Sequence, residues 1–384
     1  MAKQSNRHNR ILNRFLAGIA GPFLRMIFCY SHDRVRLDGP TLILCNHVTN
    51  YDPLLLTLVY PKDHTHFVCS EHLFRLGFVS KIIRYVVDPI PRRKGTSGAD
   101  TAMAVLRKLK AGRSVSLFVE GECSWDGVTA PLASSTGRLV KMSGVTLMTC
   151  RFEGGYLTAP RWGRGIRRGK MTCRVVGKYS PQELKTMNPA AIEALITRDI
   201  HTDAWQEQVR KPVAYRSRRR AENLQTVLYL CPRCGRSGTL SGKGTKLLCS
   251  CGKSWEFTEF GSFSPAEPFE NITQWDAWQK EKLPAVLASG GVLKDENTTL
   301  FRLNPDHSQE ALHTARLTLK EGVLTCGEYG WNLADIDDLA LVMSRNLLMS
   351  VGTDYYQLKG PKGCSMRKYR AAWEAARIDT KCEV

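Results

Sequence analysis

The stretch NHVTNYDPLLL, residues 46–56, stands between two apolar runs of different character. The β-branched and apolar residues Thr41–Cys45 precede it and predict a short buried strand, whereas the run from Pro53 to Val59 predicts a helix. The polar heptapeptide at residues 46–52 therefore lies at a strand-to-helix turn. Because α/β folds usually place their sites at the carboxyl ends of strands, this turn predicts both an α/β domain and a functional site.

His47 and Asp52 are the residues of this turn that can carry acid-base chemistry. They are five positions apart and would not share a face of a regular helix, but a bend can bring their side chains together. An imidazole held by a carboxylate can take a proton from a hydroxyl, because the carboxylate fixes the tautomer and favours the imidazolium. In the alternative interpretation Asp52 caps the helix that begins at Pro53, and His47 is an ordinary loop residue.

A second polar segment, VEGECSWDG at residues 119–127, follows the strand-like apolar run Ser114–Phe118. Together, NHVTNYD and FVEGECS resemble the glycerolipid acyltransferase family, specifically the 1-acylglycerol-3-phosphate acyltransferases, whose hallmarks are NHxxxxD and FPEGxRS. Both motifs occur in the family's order, which is more specific than either motif alone. The resemblance covers about residues 10–210 and implies an α/β acyltransferase domain with a mixed sheet flanked by helices.

The resemblance implies a reaction in which His47, held by Asp52, deprotonates the free hydroxyl of a lysophospholipid. The hydroxyl oxygen then attacks the thioester of acyl-CoA or acyl carrier protein, and the preferred acceptor is 1-acylglycerol-3-phosphate, which gives phosphatidate. No metal is required for that chemistry, whereas the tetrahedral oxyanion needs donors from the loop backbone. The residues that we expect to line the acceptor site are Asn46, Arg92, Glu120, Gly121, Cys123 and Ser124.

The second motif departs from the family pattern at two positions. Val119 replaces the usual proline, and Cys123 stands where the family has an arginine that helps to bind the acceptor phosphate. The acceptor is therefore either a different lysolipid or lysophosphatidate bound through other cations. Those cations are Arg92, at the position of the family's acceptor-binding arginine, together with Arg138 or Lys141.

Two alternatives to direct acyl transfer remain open. Gly121-Glu122-Cys123 at a strand end resembles part of a nucleophile elbow, which would make Cys123 a covalent nucleophile. Trp125 replaces the second glycine of that motif, so a noncovalent pocket cysteine is the preferred interpretation. The other alternative is a thioesterase or hydrolase that uses water in place of the lipid alcohol.

Composition and charge limit the class of protein. The chain has 384 residues with 43% hydrophobic content, enough for a sizeable core and for two or three domains. A formal net charge of +19 and a sequence pI of about 9.5 suit an anionic partner: nucleic acid, an anionic membrane surface or a phosphorylated substrate. Thirteen cysteines without a secretory signal peptide predict a reducing, cytosolic compartment with some thiols on a metal.

The amino-terminal segment combines scattered cations with an uncharged apolar run, Phe15–Leu24. The run is too short to span a bilayer, which needs about twenty apolar residues. An interfacial helix whose arginines meet anionic headgroups fits better, and the resembling family has amino-terminal helices in the membrane surface. A core helix packed on the domain is the alternative. The prediction is a peripheral protein on the cytoplasmic face of the cell membrane.

Three further patterns complete the first domain. The amphipathic segment Ala99–Ala111 predicts a helix with Met103 among its inward residues. The cations between Arg161 and Lys170 predict either a solvated hairpin tip or a membrane-facing patch. Asn188, followed by a proline, predicts the cap of one long helix from Ala190 to Val209.

Four cysteines in two short motifs predict a metal site within residues 223–263. Cys231 and Cys234 form a CxxC motif, and Cys249 and Cys251 form a CxC motif, each followed by glycine. Four thiolates in two tight turns suit tetrahedral zinc, so the segment resembles a zinc ribbon with a structural rather than catalytic metal. Zinc ribbons often bind nucleic acid, so a nucleic-acid-binding protein with a degenerate enzyme domain is the rival hypothesis. We expect no nucleic-acid partner, because both polar motifs persist.

The remaining segment, residues 264–384, shows short alternating strands at regular intervals and a helix pattern at Ser365–Ile378. A small antiparallel β-barrel with a carboxyl-terminal helix resembles a PH-like domain. An aromatic stripe upstream is expected to be core and comprises Trp255, Phe257 and Phe260. The predicted domains are the acyltransferase domain at 1–222, the zinc ribbon at 223–263 and the PH-like domain at 264–384.

Overall fold

The computed structural model describes residues 18–70, 88–92, 98–133, 135–304 and 308–382. Apart from two short segments, the first compact unit of the chain ends at Ser217 and the second begins at the next residue. Residues 71–75 and 78–85, whose sequence pattern also predicts helices, lie outside the described residues, as do Arg93 and Lys94, which continue the basic run that begins at Arg92. The same holds for residues 1–17 of the predicted amino-terminal segment.

A mixed seven-stranded sheet forms the centre of the first unit, as predicted. Its order is β1-β7-β6-β2-β5-β3-β4, and all neighbours pair in parallel except β6 and β7, which are antiparallel. Strand β2 lies in the middle of this order, and all five of its residues are buried. The strands are β1 Tyr30–His32, β2 Thr41–Cys45, β3 Thr65–Ser70, β4 Ile90–Arg92, β5 Ser114–Phe118, β6 Thr146–Glu153 and β7 Met171–Tyr179.

Helices flank this sheet and supply its core. Leu42 and Leu44 of β2 pack in one apolar cluster with residues of the third, fourth and seventh helices, including Val105, Val140 and Ile196. These buried side chains recur at helical spacing, so the same pattern that forms each helix also fixes which face meets the sheet. The helices are α1 at residues 18–28, α2 Asp52–Leu56, α3 Ala99–Lys110, α4 Thr136–Ser143, α5 Gly155–Thr158, α6 Pro181–Thr186, α7 Pro189–Ile200 and α8 Ala204–Arg210.

Two details of the predicted helices are wrong. Met103 of α3, expected to point inward, is 53% exposed, because Val105 and Leu109 form the buried face instead. The helix expected at Ala190–Val209 is two helices, α7 and α8. The chain breaks between them because the Asp203 side chain caps α8 by accepting from its first N–H groups.

Helix α1 has two apolar faces. Leu24 and Phe28 are buried in the first unit, whereas Ile19, Phe23 and Met26 are 64%, 58% and 69% exposed. The predicted alternative of a helix packed on the domain therefore describes one face, and the described residues leave the other face uncovered. Within the described ranges, the helices lack the length and apolar content that crossing a bilayer requires.

The second unit begins with a four-stranded antiparallel sheet in the order β11-β10-β9-β8. Trp255 and Phe257 on β10 are buried, as expected for the aromatic stripe. Phe260 is 44% exposed, contrary to that expectation, because it follows the end of the strand and no longer shares its alternation. The strands are β8 Leu240–Lys243, β9 Lys246–Cys249, β10 Ser254–Phe257 and β11 Phe263–Ser264.

A seven-stranded antiparallel sheet follows, in the order β15-β14-β13-β12-β18-β17-β16. The β-rich prediction and the terminal helix are confirmed in outline, although strand pairing does not close a barrel among the described residues. Helix α9, Ile272–Ala288, and strand β15 were not predicted. The sheet comprises β12 Leu293–Leu303, β13 Gln309–Lys320, β14 Val323–Cys326, β15 Tyr329–Asn332, β16 Asp338–Val342, β17 Asn346–Val351 and β18 Asp354–Lys359, and α10 Arg367–Cys382 follows.

A buried ion pair joins α9 to α10. Asp276 is fully buried and accepts hydrogen bonds from both terminal nitrogens of Arg367, itself 7% exposed. Lys280 and Gln279 also donate to this carboxylate, at 2.8 and 2.7 Å. Burial raises the pKa of Asp276, but the charges and hydrogen bonds of Arg367 and Lys280 together outweigh it and lower the pKa to about 2.

Candidate active site

The loop after β2 brings His47 and Asp52 together. His47 Nδ1 lies 2.8 Å from Asp52 Oδ2, and the aspartate is fully buried while the histidine side chain keeps 18% of its surface exposed. Asp52 does not cap α2 with its side chain. Its Oδ2 accepts the backbone N–H groups of Val48 and Thr49 at 2.7 and 2.9 Å, and Oδ1 accepts the Thr49 hydroxyl. The carboxylate therefore closes the loop and orients the imidazole, as the first of the two interpretations predicts.

The other ring nitrogen of His47 faces Cys123. The Nε2 to Sγ distance is 3.3 Å, within hydrogen-bonding range for sulfur, and the Cys123 Sγ also lies 3.5 Å from Asn50 Oδ1. Burial alone would lower the pKa of His47, but the neighbouring Cys123 sulfur and the hydrogen bond to Asp52 raise it to about 10. Phe118, the last residue of β5, stacks on the imidazole at 4.3 Å between ring centroids.

Glu120 ties the two motifs together. Its Oε1 accepts the backbone N–H of His47 at 2.6 Å, and its Oε2 accepts that of Ala130 at 2.7 Å. Burial raises the pKa of Glu120 to about 7, although these two N–H groups oppose the shift. Both oxygens of the carboxylate therefore hold the backbone, so the geometry supports a positioning role for this predicted acceptor-site residue.

Asn46 and Ser124 are buried and use their polar atoms within the protein. Asn46 donates to the Phe152 carbonyl and to Thr202 Oγ1, and accepts the Phe152 N–H at 2.8 Å. Ser124 Oγ donates to the Val128 carbonyl and accepts the N–H of residue 127, which shapes the turn after Cys123. Both predicted acceptor-site residues therefore hold β2 and the second motif in place, and acceptor contact by either stays a prediction.

Arg92 lies beside the second motif. Gly121 has a φ of +75°, and a Cβ added there would stand 3.5 Å from an Arg92 guanidinium nitrogen. A side chain at residue 121 would therefore be both strained and close to the guanidinium. Over the described ranges, the guanidinium of Arg92 makes no hydrogen bond or ion pair. Lys141, one of the two supplementary cations, instead donates to the Met187 carbonyl.

Arg161 is a part of the site that the sequence did not reveal. It donates to Glu122 and to the Cys123 carbonyl, both at 2.9 Å, and its guanidinium lies 3.8 Å from the centroid of the Trp125 ring. Arg167 from the same basic cluster is 3% exposed and donates to the Leu157 carbonyl. For these two residues, the expectation of a solvated tip or membrane patch is wrong, because buried carbonyl and carboxylate groups hold them.

A second polar cluster lies in the second unit, where four cysteine sulfurs come within 4.8 Å of one another. Two pairs of sulfurs are 3.9 Å apart, close to the roughly 3.8 Å that tetrahedral Zn–S bonds of about 2.3 Å require. The glycine after each motif adopts positive φ, and its N–H bonds back to a cysteine carbonyl. The cluster, which could hold a metal ion, comprises Cys231, Cys234, Cys249 and Cys251.

Comparison with known proteins agrees with part of this picture. The family model described as Acyltransferase matches residues 26–153, which contain both polar motifs. No curated protein matches the chain. Among solved structures, the chain is similar to the crystal structure of the 1-acyl-sn-glycerophosphate (LPA) acyltransferase PlsC from Thermotoga maritima. The sequence identity is 18%, and the match covers 52% of this chain and 95% of that chain. The TM-score is 0.37, and at that value the likeness does not establish the fold.

Proposed function

We propose that the first unit is a lysophospholipid O-acyltransferase that works at a membrane surface. The observation that carries this proposal is the 2.8 Å contact between His47 Nδ1 and the fully buried Asp52, which leaves Nε2 to face the reaction. Acyl-CoA or acyl carrier protein supplies the acyl group as a thioester. The preferred acceptor is 1-acylglycerol-3-phosphate, which gives phosphatidate, and a different lysolipid is the alternative.

His47 acts as the general base in this proposal. Asp52 holds Nδ1–H, so Nε2 is the nitrogen that takes the proton from the acceptor hydroxyl. The N–H groups of Val48 and Thr49 already bond to Asp52 and do not serve as oxyanion donors. The backbone N–H of Cys123 makes no hydrogen bond to the described residues, so it is the donor that we propose for the tetrahedral oxyanion.

Arg92 is the proposed ligand of the acceptor phosphate. Its guanidinium lies beside Gly121, next to the loop that carries Cys123. A guanidinium can bind a phosphate through two parallel N–H groups, which a cysteine at residue 123 cannot do. Glu120, Asn46 and Ser124 then support the acceptor site by holding its backbone.

The uncovered face of α1 supports membrane docking. Ile19, Phe23 and Met26 present apolar side chains, and Phe28 on the opposite face packs on Tyr51 beside Asp52, with 5.0 Å between ring centroids. A helix of this kind lies in the interface with its apolar face in the lipid. Cations line a cleft beside α1 and would meet anionic headgroups; they are Arg25, Arg34, Arg36 and Lys62.

In the second unit, we propose that the four-cysteine cluster holds a structural zinc ion. All four ligands come from the protein, which leaves no coordination position for a substrate. The antiparallel strand order followed by α10 supports a PH-like assignment for residues 264–384. Metal analysis of the purified chain should give about one zinc per chain, and Cys234→Ser should lose it.

The test of the acyltransferase proposal is transfer of labelled palmitate from acyl-CoA and from acyl carrier protein to a panel of lysolipids. We expect product with lysophosphatidate, reduced at least about a hundredfold in His47→Ala, because general-base catalysis contributes that much. Turnover that does not need an acceptor would indicate a hydrolase instead. Steeply salt-dependent nucleic-acid binding without transfer would favour the rival hypothesis.

A further inference from the structure

We propose that Cys123 is a covalent nucleophile that carries the acyl group as a thioester between donor and acceptor. His47 and Asp52 complete a Cys-His-Asp triad with it. The inference rests on the proposed acyltransferase function and adds a second chemical step to it. The preferred interpretation of the sequence alone, a noncovalent pocket cysteine, is replaced.

The geometry is that of an activated nucleophile. Cys123 Sγ is 3.3 Å from His47 Nε2, and His47 Nδ1 is 2.8 Å from Asp52. A nucleophile beside a base that a third group orients is the arrangement that thiol and hydroxyl enzymes share. Nε2 is the nitrogen that exchanges protons in the reaction, and the structure places the Cys123 sulfur beside it.

The surrounding structure fixes the sulfur in this place. The Ser124 N–H donates to the His47 carbonyl at 2.8 Å, and Arg161 donates to the Cys123 carbonyl at 2.9 Å. The loop carrying the sulfur is therefore bonded to the loop carrying the imidazole. Such preorganisation is what a nucleophile needs and what a cysteine that merely fills space does not need.

Within the part of the first unit that the structure describes, the other thiols make no hydrogen bond to a histidine. Cys45 is fully buried at the end of β2, and burial raises the pKa of its thiol to about 12. Burial likewise raises the pKa of Cys69 to about 11. These thiols are inert at neutral pH, because the thiolate is the nucleophile. Cys123 differs from them through its contact with His47.

The charge of His47 also fits a two-step reaction. Burial lowers the pKa of His47, but the Cys123 sulfur and the hydrogen bond to Asp52 raise it to about 10, which favours the imidazolium in the resting site. The imidazolium can protonate the CoA thiolate as it departs. Once the sulfur carries an acyl group it bears no charge, so the imidazole becomes a free base.

The chemistry balances without a co-reactant. The Cys123 thiolate attacks the donor thioester, the new C–S bond forms, the bond to the CoA sulfur breaks, and the His47 proton goes to the departing thiolate. The acceptor hydroxyl then gives its proton to Nε2 and attacks the acyl group. A C–O bond forms, the bond to Cys123 breaks, and the imidazolium-thiolate pair is restored. Cys123 is only 4% exposed, which shields the acyl thioester from water.

The first test uses the wild-type chain without an acceptor. Incubation with labelled palmitoyl-CoA and denaturing quench should leave about one label per chain, released by neutral hydroxylamine and mapped to the Cys123 peptide. Free labelled CoA should also exchange into palmitoyl-CoA without lysolipid. A chain that acylates lysolipid but shows neither label nor exchange overturns the inference and leaves the proposed function standing. Label on Cys123 without any lysolipid product supports the acyl-enzyme and overturns the proposed acceptor class.

Matched variants give a second test. Cys123→Ala and Cys123→Arg should each lose at least about a hundredfold in transfer, although the arginine restores the family's residue. Cys29→Ala, at an exposed thiol, should keep label and rate. Unchanged transfer in Cys123→Ala or Cys123→Arg would overturn the covalent step. Thermal unfolding of each variant identifies any loss that comes from misfolding, and the wild-type labelling needs no variant at all.

Discussion

Two fully buried aspartates, one in each unit, have different partners. Asp52 is bonded to two backbone N–H groups, a threonine hydroxyl and the imidazole of His47. Asp276 is bonded to the guanidinium of Arg367 and to Lys280, both permanent cations. Residue type and burial are the same, so the partners alone distinguish them.

The difference separates a proton-handling group from a structural one. A carboxylate paired with a guanidinium has no partner that can exchange a proton near neutral pH, so Asp276 can only hold α9 and α10 together. A carboxylate paired with an imidazole sets the tautomer and charge of a group that titrates, so Asp52 acts through the far nitrogen of His47. Burial of an acid therefore does not by itself indicate catalysis.

The largest expected effect is on the rate of acyl transfer in Asp52→Asn. The amide cannot hold Nδ1–H in the same tautomer, and a change of this kind in a triad lowers the rate by about 1,000-fold to 10,000-fold. Initial rates of lysolipid acylation, with binding of the acceptor measured separately, check this. A loss of less than about tenfold would contradict the role given to Asp52 and weaken the contrast with Asp276.

The matching change in the second unit, Asp276→Asn, should act on stability. Removing the charge leaves Arg367 buried beside a neutral group, which typically costs about 3–5 kcal/mol in the free energy of unfolding. Transfer by the folded fraction should stay within about twofold of wild type, because no step uses Asp276. Denaturant unfolding provides the measurement. Glu281→Gln is the control, because its ion pair with Lys282 is exposed and is worth at most about 1 kcal/mol.

The pairing of Asp276 with a cation should also make the stability of the protein depend on pH. The folded-state pKa of Asp276 lies below its unfolded value, so its stabilisation is complete above about pH 4 and is lost as the pH falls toward 2. The lowered pKa of Asp276 corresponds to about 2 kcal/mol in the free energy of unfolding. Urea unfolding of wild type and Asp276→Asn should show that the difference between their free energies of unfolding becomes smaller from pH 6 to pH 2.5. If that difference stays constant over this pH range, the ion pair between Asp276 and Arg367 is not its cause.

The smallest expected effect concerns membrane binding by the unit that carries Asp52. Phe23→Glu should weaken binding to vesicles with anionic lipid by about tenfold, because the phenyl ring no longer enters the lipid. Val209→Glu, at an 85% exposed apolar residue of α8, should leave binding unchanged. Sedimentation with vesicles measures both. Equal losses in the two variants would place the docking surface elsewhere than α1.

The sequence revealed most where the contacts are local. The CxxC and CxC spacing predicted the four-cysteine cluster, and the strand-to-helix turn predicted the meeting of His47 with Asp52. The contact between His47 and Cys123 joins residues 76 positions apart, so no local pattern could establish it. Their proximity follows from the parallel pairing of β2 with β5, which places the ends of both strands at one edge of the sheet.

Errors arose where one pattern permits several packings. Met103 and Val105 both continue the apolar pattern of α3, and only the position of the sheet decides which is buried. Arg161 belongs to a basic run that is typical of solvated surface, yet the Cys123 carbonyl and Glu122 hold it in the site.

Asn46 is a motif residue, but its bonds to Phe152 and Thr202 depend on the distant strand β6 and on the α7–α8 break.

The second motif holds the backbone of His47, in the first motif, from both sides, since Glu120 accepts its N–H and Ser124 donates to its carbonyl. The number of residues between these two contacts is therefore part of the catalytic geometry. An insertion or deletion between Glu120 and Ser124 would displace one contact and rotate the peptide that carries the imidazole. The two motifs should consequently be inherited as a pair, and a chimera that exchanges one of them should recover activity only when its original partner is exchanged with it.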